Sequence, residues 1–191
     1  MIDKEGFRIL EGNELEESGQ VIVHTGLGKG KTTAALGLAY RALGHGWRVV
    51  FICFTGPEYP QMGDVRAATA LGGNLRMIGV ESQARDVSYL ADFAESTPTV
   101  ETALDLAREV LIQGKCDLLV LDDINPLLYE GTIDTAQVVA LIDEKPPNAT
   151  IVLTGRFAPQ AIIERADTVT DFAEIKHPSQ AGIEPRKGVD F

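Results

Sequence analysis

Residues 21–33 read VIVHTGLGKGKTT, and this stretch decides the fold class. It opens with a short apolar run, Val21 to His24, of the kind that forms a buried strand. A loop rich in glycine follows. Residues 31–43 then place alanine and leucine on one face at helical spacing and end at Gly44-His45-Gly46, which is typical of a helix stop. The stretch predicts a strand, a glycine-rich loop and a helix, in that order.

The loop has the composition of a phosphate-binding loop. Glycines let successive backbone N–H groups turn inward toward phosphate oxygens, and the positive end of the helix dipole faces the same anion. Lys31 supplies a mobile cation for the outer phosphates, and Thr32 places a hydroxyl where it can ligate Mg²⁺. The strict Walker A pattern has glycine where this chain has Thr25. The predicted nucleotide-binding residues are Gly26, Leu27, Gly28, Lys29, Gly30, Lys31, Thr32 and Thr33.

A second motif lies at residues 118–123, which read LLVLDD. An apolar strand that ends in carboxylates is typical of a Walker B segment, whose acid reaches the metal directly or through water. We expect this strand to lie beside the strand that precedes the phosphate loop. The predicted Mg²⁺ ligands are Thr32, Asp122 and Asp123. Consecutive side chains at a strand end point in opposite directions, so the two acids should have different roles.

Apolar runs alternate with segments of helical period along the rest of the chain, which favours a parallel α/β sheet. Besides 31–43, helices are predicted from Thr97-Pro98 to just before Gly114, and from Asp134 to about Asp143. We predict a single-domain P-loop nucleotide-binding fold over 1–191, with a mostly parallel sheet flanked by helices, an N-terminal arm at 1–19 and a C-terminal tail at 176–191. The predicted strands are 21–24, 47–54, 75–80, 117–122, 150–154 and 168–172.

Composition excludes several classes of partner. The formal charge of −11 opposes the electrostatic attraction on which nucleic-acid binding depends. The chain has no apolar stretch long enough to cross a bilayer and no secretory signal pattern, so we expect a cytoplasmic protein. Cys53 and Cys116 stand alone in apolar runs, and we expect them to be buried and reduced.

The phosphate loop and the tail together resemble one family. Residues 23–35 followed by 41–46, the stretch Leu153-Thr154-Gly155-Arg156, and the tail around Lys176-His177 and 188–191 closely resemble the P-loop ATP:corrinoid adenosyltransferases, also called cob(I)alamin adenosyltransferases. The resemblance extends from about residue 20 to the end of the chain.

The resemblance implies that a corrinoid reduced to Co(I) attacks the 5′ carbon of ATP and expels inorganic triphosphate. Cobalt is then the nucleophile, so no catalytic side chain is expected, and the protein contributes positioning and charge neutralisation. The family binds its nucleotide in an orientation that presents the 5′ carbon. Arg41 and Arg156 match further nucleotide-binding positions, and Asp123 matches a position where relatives carry Glu. Relatives are commonly dimers, and a reductase is a possible partner.

Two loops depart from the family pattern. Relatives carry a Phe-Thr-Trp type segment after the third strand, where this chain has residues 81–86, ESQARD. Tyr89 and Phe93 are four residues apart and could form an apolar wall for the corrinoid on one helical face, although such pairs are more often core. The loop after the second strand, 54–60, also differs.

Two other functions stay open. The chain could be a P-loop NTPase that hydrolyses ATP to ADP and phosphate with an acid near Asp123, or an ATP-binding protein whose corrinoid site has decayed. A nucleotide kinase is disfavoured because no arginine-rich lid segment is present. The phosphate product separates these functions.

Overall fold

The architecture is a six-stranded sheet with helices on both faces. The structure, a computed structural model, describes residues 18–54, 62–71, 73–80 and 99–190. The strands are β1 (Val21–Thr25), β2 (Val49–Cys53), β3 (Leu75–Gly79), β4 (Leu118–Asp122), β5 (Thr150–Thr154) and β6 (Thr168–Asp171). The helices are α1 (Lys31–Gly44), α2 (Gly63–Leu71), α3 (Val100–Ile112), α4 (Ile124–Tyr129), α5 (Thr135–Asp143) and α6 (Gln160–Ile163), followed by a 3-10 turn at Pro178–Ala181.

All strand pairs in the sheet are parallel, and the strand order is β3-β2-β4-β5-β1-β6. The predicted fold class is confirmed, and every predicted strand is present. One expectation about neighbours is wrong, because β5 lies between the phosphate-loop strand β1 and the acid-bearing strand β4. Pairing depends on crossover connections that a strand's own sequence does not encode. The strand ends still meet at one edge, so the acids remain close to the loop.

Continuous apolar runs in the central strands reflect burial on both faces of the sheet. Alternate side chains of β4 enter different cores: Leu119 and Leu121 pack with α3 and α5, while Leu118 and Val120 pack with the alanine face of α1. All residues of β2, β4 and β5 are buried. Both cysteines are buried as expected. The doubly covered sheet gives the loops at its carboxyl edge a rigid base.

The observed helix starts agree with the sequence pattern for one helix and differ from it for another. Asp134 caps α5 as predicted, because its carboxylate accepts a hydrogen bond from Ala136 N at 2.9 Å. The start predicted at Thr97-Pro98 is placed too early. The helix α3 begins at Val100, and Thr99 is its N-cap residue, with Oγ1 accepting from Thr102 N at 3.4 Å.

Three helices, α2, α4 and α6, were not predicted from helical period. The helix α4 has six residues, includes a proline and follows directly on β4, so it is too short for a helical period to be visible. Its first residues lie at the edge of the site. Within the described ranges, no helix is long and apolar enough to span a membrane.

Candidate nucleotide site

The loop between β1 and α1 has the backbone shape that its glycines suggested. Gly26 and Gly30 have φ of 94° and 108°, in the region that residues with a side chain rarely adopt. Gly30 is also the N-cap residue of α1, and no side chain caps this helix end. The first N–H groups of α1 are therefore the ones that a bound anion can satisfy.

Residues that follow β6 hold the loop from outside. Gly28 N donates a hydrogen bond to Phe172 O at 2.7 Å. A Cβ on Gly28 would lie 2.6 Å from Ala173 O, and a Cβ on Gly26 would lie 2.0 Å from Asp171 Oδ1. These glycines are needed for close approach as well as for dihedral freedom. No local sequence pattern indicates this contact, because its two sides are more than 140 residues apart.

Lys31 lies inside the loop. Its Nζ donates to Gly26 O at 2.8 Å and to Gly28 O at 2.7 Å. Burial lowers the pKa of Lys31, and the nearby charge of Arg156 lowers it further, while Asp123 and Asp122 oppose the shift. The ammonium group is therefore a partly desolvated cation, for which a triphosphate is a matching counter-charge.

Asp122 joins three elements through its buried carboxylate. Thr32 Oγ1 donates to its Oδ2 at 3.2 Å, and Thr154 Oγ1 donates to its Oδ1 at 2.7 Å. The residue is 3% exposed, and burial raises its pKa to about 6 despite both hydrogen bonds. Thr154 was not assigned a role from sequence, although a threonine at the carboxyl end of a buried strand was a usable signal.

Asp123 has a different environment, as the alternation of side chains predicted. It is the N-cap residue of α4 with φ 62°, and its N–H donates to Thr154 Oγ1 at 2.9 Å. Burial raises the pKa of Asp123, and the charges of Lys31 and Arg156 act in the opposite direction. Positive φ is uncommon for residues with a side chain, although aspartate adopts it more readily than most, and such residues cluster at functional sites. The carboxyl group of Asp123 is thus close to the phosphate-binding cations.

Thr25 occupies the position where the strict motif has glycine. Its Oγ1 accepts a hydrogen bond from Ala158 N at 3.2 Å. This contact ties the segment that follows β5, which contains Arg156, to the start of the phosphate loop. The departure from the motif therefore has a structural role.

The C-terminal tail also reaches the loop. Lys29 forms an ion pair with Asp190, and Asp190 Oδ2 accepts from Arg186 N at 2.7 Å. Residues 176–191 were expected from their lack of periodicity to form an arm or an ordered tail, and this contact with the loop was not predicted. The segment after β5 thus holds the residue just before the loop, while the residues after β6 and the tail contact the loop itself.

Comparison with known proteins agrees with this geometry. A family model described as ATP:corrinoid adenosyltransferase BtuR/CobO/CobP matches residues 17–191. The chain belongs to this family. It is therefore a transferase, and the reaction of its family is ATP-dependent transfer of an adenosyl group to a corrinoid.

Curated relatives of this adenosyltransferase support the assignment. It is 36% identical to a corrinoid adenosyltransferase of Sinorhizobium sp over 92% of its own length and 82% of the relative's. It is 35% identical to a corrinoid adenosyltransferase of Pseudomonas aeruginosa, with 92% and 85% covered. For the corrinoid adenosyltransferase of Escherichia coli K12 the identity is 32%, with 92% and 87% covered.

Solved structures resemble the adenosyltransferase in fold. The flagellar accessory protein FlaH of Methanocaldococcus jannaschii has a TM-score of 0.55 at 16% identity, covering 81% of this chain and 71% of that one. The KaiC-like protein PH0186 of Pyrococcus horikoshii has a TM-score of 0.52 at 20% identity, covering 81% and 72%. At these identities the likeness concerns the fold alone.

The structure of the adenosyltransferase brings most of the predicted site residues together. Arg156 lies near Lys31 and Asp123, whereas Arg41 is exposed in the last turn of α1, about 15 Å along the helix axis from Lys31. The structure does not bring Arg41 to the loop. Tyr89, Phe93 and the segments 55–61 and 81–86 lie outside the described residues.

Proposed function

We propose that the enzyme transfers the 5′-deoxyadenosyl group of ATP to the Co(I) centre of a reduced corrinoid and releases inorganic triphosphate. The observation that carries this proposal is the partly buried Lys31 ammonium inside a glycine loop at the N-terminus of α1, in a chain that belongs to the adenosyltransferase family. This arrangement places positive groups around a bound triphosphate. Such groups stabilise the negative charge that the triphosphate carries when it leaves.

In the proposed step, cobalt donates its electron pair to the 5′ carbon, the cobalt–carbon bond forms and the carbon–oxygen bond to the triphosphate breaks. The electron pair of the broken bond leaves with the triphosphate. The chain contributes by orienting ATP and by stabilising the charge on the leaving group through the loop N–H groups, Lys31 and Arg156. No proton has to be removed from the nucleophile, so the step needs no general base.

The residues near Lys31 fit a Mg²⁺ ion. Thr32 and Asp122 present a hydroxyl and a carboxylate within 3.2 Å of each other, and Asp123 adds a second carboxylate at the same strand end. Hard oxygen donors of this kind suit Mg²⁺, which usually takes one or two carboxylates and leaves its remaining positions to water and phosphates. A bound Mg²⁺ would neutralise part of the charge on the triphosphate. We assign Thr32 and Asp122 as its holders, and Asp123 as a contact through water.

Product analysis with reduced corrinoid, ATP and Mg²⁺ tests the reaction. We expect adenosylcorrinoid and inorganic triphosphate in equal amounts, and no adenosylcorrinoid when the corrinoid is left oxidised. ADP and phosphate in place of triphosphate would contradict the proposal and indicate hydrolysis. ATP binding without turnover would indicate a binding protein whose corrinoid site has decayed.

The assembly and setting of the enzyme are part of the same proposal. We infer a single domain that acts as a homodimer in the cytoplasm and receives its corrinoid from a reductase, since Co(I) must be supplied by an electron donor. In support of a dimer, every residue of the edge strand β6 is exposed, including the apolar Val169. Light scattering on the purified protein tests the dimer, and a monomeric mass at working concentration would contradict it.

A further inference from the structure

Two aromatic rings lie on the surface beside the carboxylates. Tyr129, the last residue of α4, and Phe157, which follows β5, have ring centroids 4.9 Å apart and ring planes at 32°. They are 66% and 50% exposed. Exposed aromatic rings that already overlap each other still offer an outer face, on which a further flat ring gains stacking energy.

The backbone of Phe157 is held in an unfavourable conformation. Its φ is 60°, and among non-glycine residues of the described ranges the same region is occupied by Asp123 at 62°. A bulky side chain in this region is strained and persists where surrounding contacts enforce it. Core packing does not explain this strain, because the ring is half exposed.

Close packing between α4 and the end of β5 fixes the two rings relative to each other. Asn125 Nδ2 donates to Gly155 O at 3.1 Å, and a Cβ on Gly155 would lie 2.5 Å from Pro126 Cδ. Gly155 therefore allows α4 to approach the segment that carries Phe157. The aromatic pair is built onto a rigid part of the site.

The pair lies next to the phosphate-binding charges. Arg156 is close enough to Lys31 and Asp123 for its charge to lower the pKa of both groups. Phe157 is the next residue, and Ala158 is bonded to Thr25 at the start of the phosphate loop. A nucleotide whose phosphates lie at Lys31 carries its base within one nucleoside length of that position.

We propose that Tyr129 and Phe157 form the binding surface for the adenine base of ATP. Adenine is fully aromatic and planar, and stacking on an aromatic side chain uses its π face without requiring hydrogen bonds. The inference rests on ATP being the substrate, as in the proposed function. It places Arg156 at the triphosphate and the next residue, Phe157, at the base.

The test compares ATP with inorganic triphosphate, which lacks the base. Calorimetry with Mg²⁺ is done on wild type, Phe157→Gly, Tyr129→Leu and the control Tyr40→Leu, which removes an aromatic ring that is 72% exposed on α1. We expect Phe157→Gly to raise the Kd for ATP about 30-fold, the middle of the range for loss of one stacked base, and to leave the Kd for triphosphate unchanged. Tyr129→Leu should act in the same direction, and Tyr40→Leu should change neither Kd.

A thermal melt separates binding from folding. Glycine accepts a φ of 60° without strain, so Phe157→Gly should have a Tm equal to or above that of wild type while it loses ATP affinity. A purely structural ring would give the opposite pattern, with a lower Tm and unchanged affinity, and would overturn the proposal.

Three other results would also overturn it. Equal weakening of ATP and triphosphate would mean that the substitutions disturb the loop. A raised KM for corrinoid with normal ATP affinity in the variants would mean that the pair binds the corrinoid. Conversion of a dimer to a monomer by the substitutions would mean that the pair lies in a subunit interface. If the wild type makes no adenosylcorrinoid but still shows the difference between ATP and triphosphate, the proposed function fails and the base site stands.

Discussion

The two edges of the candidate site reach positive φ with opposite kinds of residue. At the phosphate loop, Gly26 and Gly30 adopt φ of 94° and 108°. At the carboxylate edge, Asp123 and Phe157 adopt 62° and 60°. Glycine pays little for this conformation in the folded state, whereas a residue with a side chain is strained there.

The difference extends to what holds each edge. The loop is fixed by backbone groups that approach it from β6, with Gly28 bonded to Phe172 at 2.7 Å. The carboxylate edge depends on side chains, with a buried Asp122 whose two oxygens accept from Thr154 and Thr32. We conclude that the loop contributes to stability as well as to binding, and that the carboxylate edge costs stability in order to present charge.

The largest effect should follow from placing a side chain in the loop. Gly26→Ala would put a Cβ 2.0 Å from Asp171 Oδ1 and 2.6 Å from Phe172 O at a φ of 94°. We expect the free energy of unfolding to fall by about 3 to 4 kcal/mol, the sum of a left-handed alanine and an overpacked contact. Gly46→Ala is a matched control, because its φ is 77° and nothing lies within 4 Å of the added Cβ.

Denaturant titration of both variants measures the difference. The control should lose about 1 kcal/mol, which is the dihedral cost alone. Equal losses in the two variants would show that the approach of β6 does not constrain the loop.

The next effect concerns the carboxylate edge, where we expect a substitution to raise the free energy of unfolding instead of lowering it. Burial raises the pKa of Asp122 from 3.8 to about 6, so the folded protein binds this proton more tightly than the unfolded chain. The stability from the protonated group is fully present below pH 4 and is lost as pH rises through 6. Asp122→Asn removes the charge, so it should raise the free energy of unfolding by about 3 kcal/mol at pH 7 and above.

The pH dependence provides the check on this variant. Its stability gain over wild type should grow between about pH 4 and pH 6 and then level off, and Mg²⁺ should no longer strengthen ATP binding. A destabilised Asp122→Asn at pH 8 would show that the hydrogen bonds from Thr32 and Thr154 outweigh the burial of charge.

The third effect concerns binding with little change in stability. Lys31→Ala deletes a cation whose Nζ bonds the loop carbonyls of Gly26 and Gly28. We expect the Kd for ATP to rise about 100-fold, as for the loss of charge-assisted hydrogen bonds, with a Tm within a few degrees of wild type. Lys115→Ala is the control, since Lys115 pairs with Glu109 on the surface at 2.7 Å. An unchanged Kd for Lys31→Ala would show that the loop does not bind the triphosphate.

The sequence predicted the parts of this site that depend on local pattern. The strand, loop and helix around Lys31 are contiguous, so glycine spacing and helical period were enough to place them. The order of strands in the sheet could not be predicted from local pattern, and the position of β5 between β1 and β4 was not predicted. Phe172 and Asp190 contact the loop from positions more than 140 residues away, and Thr154 contacts Asp122 from a different strand. No local period reports such contacts.

The contact between the phosphate loop and the end of the chain has a consequence for synthesis. Gly28 and Lys29 are translated early. Their partners Phe172 and Asp190 are translated about 140 and 160 residues later. During that interval the amide of Gly28 has no Phe172 carbonyl to bond. A nascent chain therefore completes the contacts that hold its phosphate loop only after almost all of the sheet has emerged.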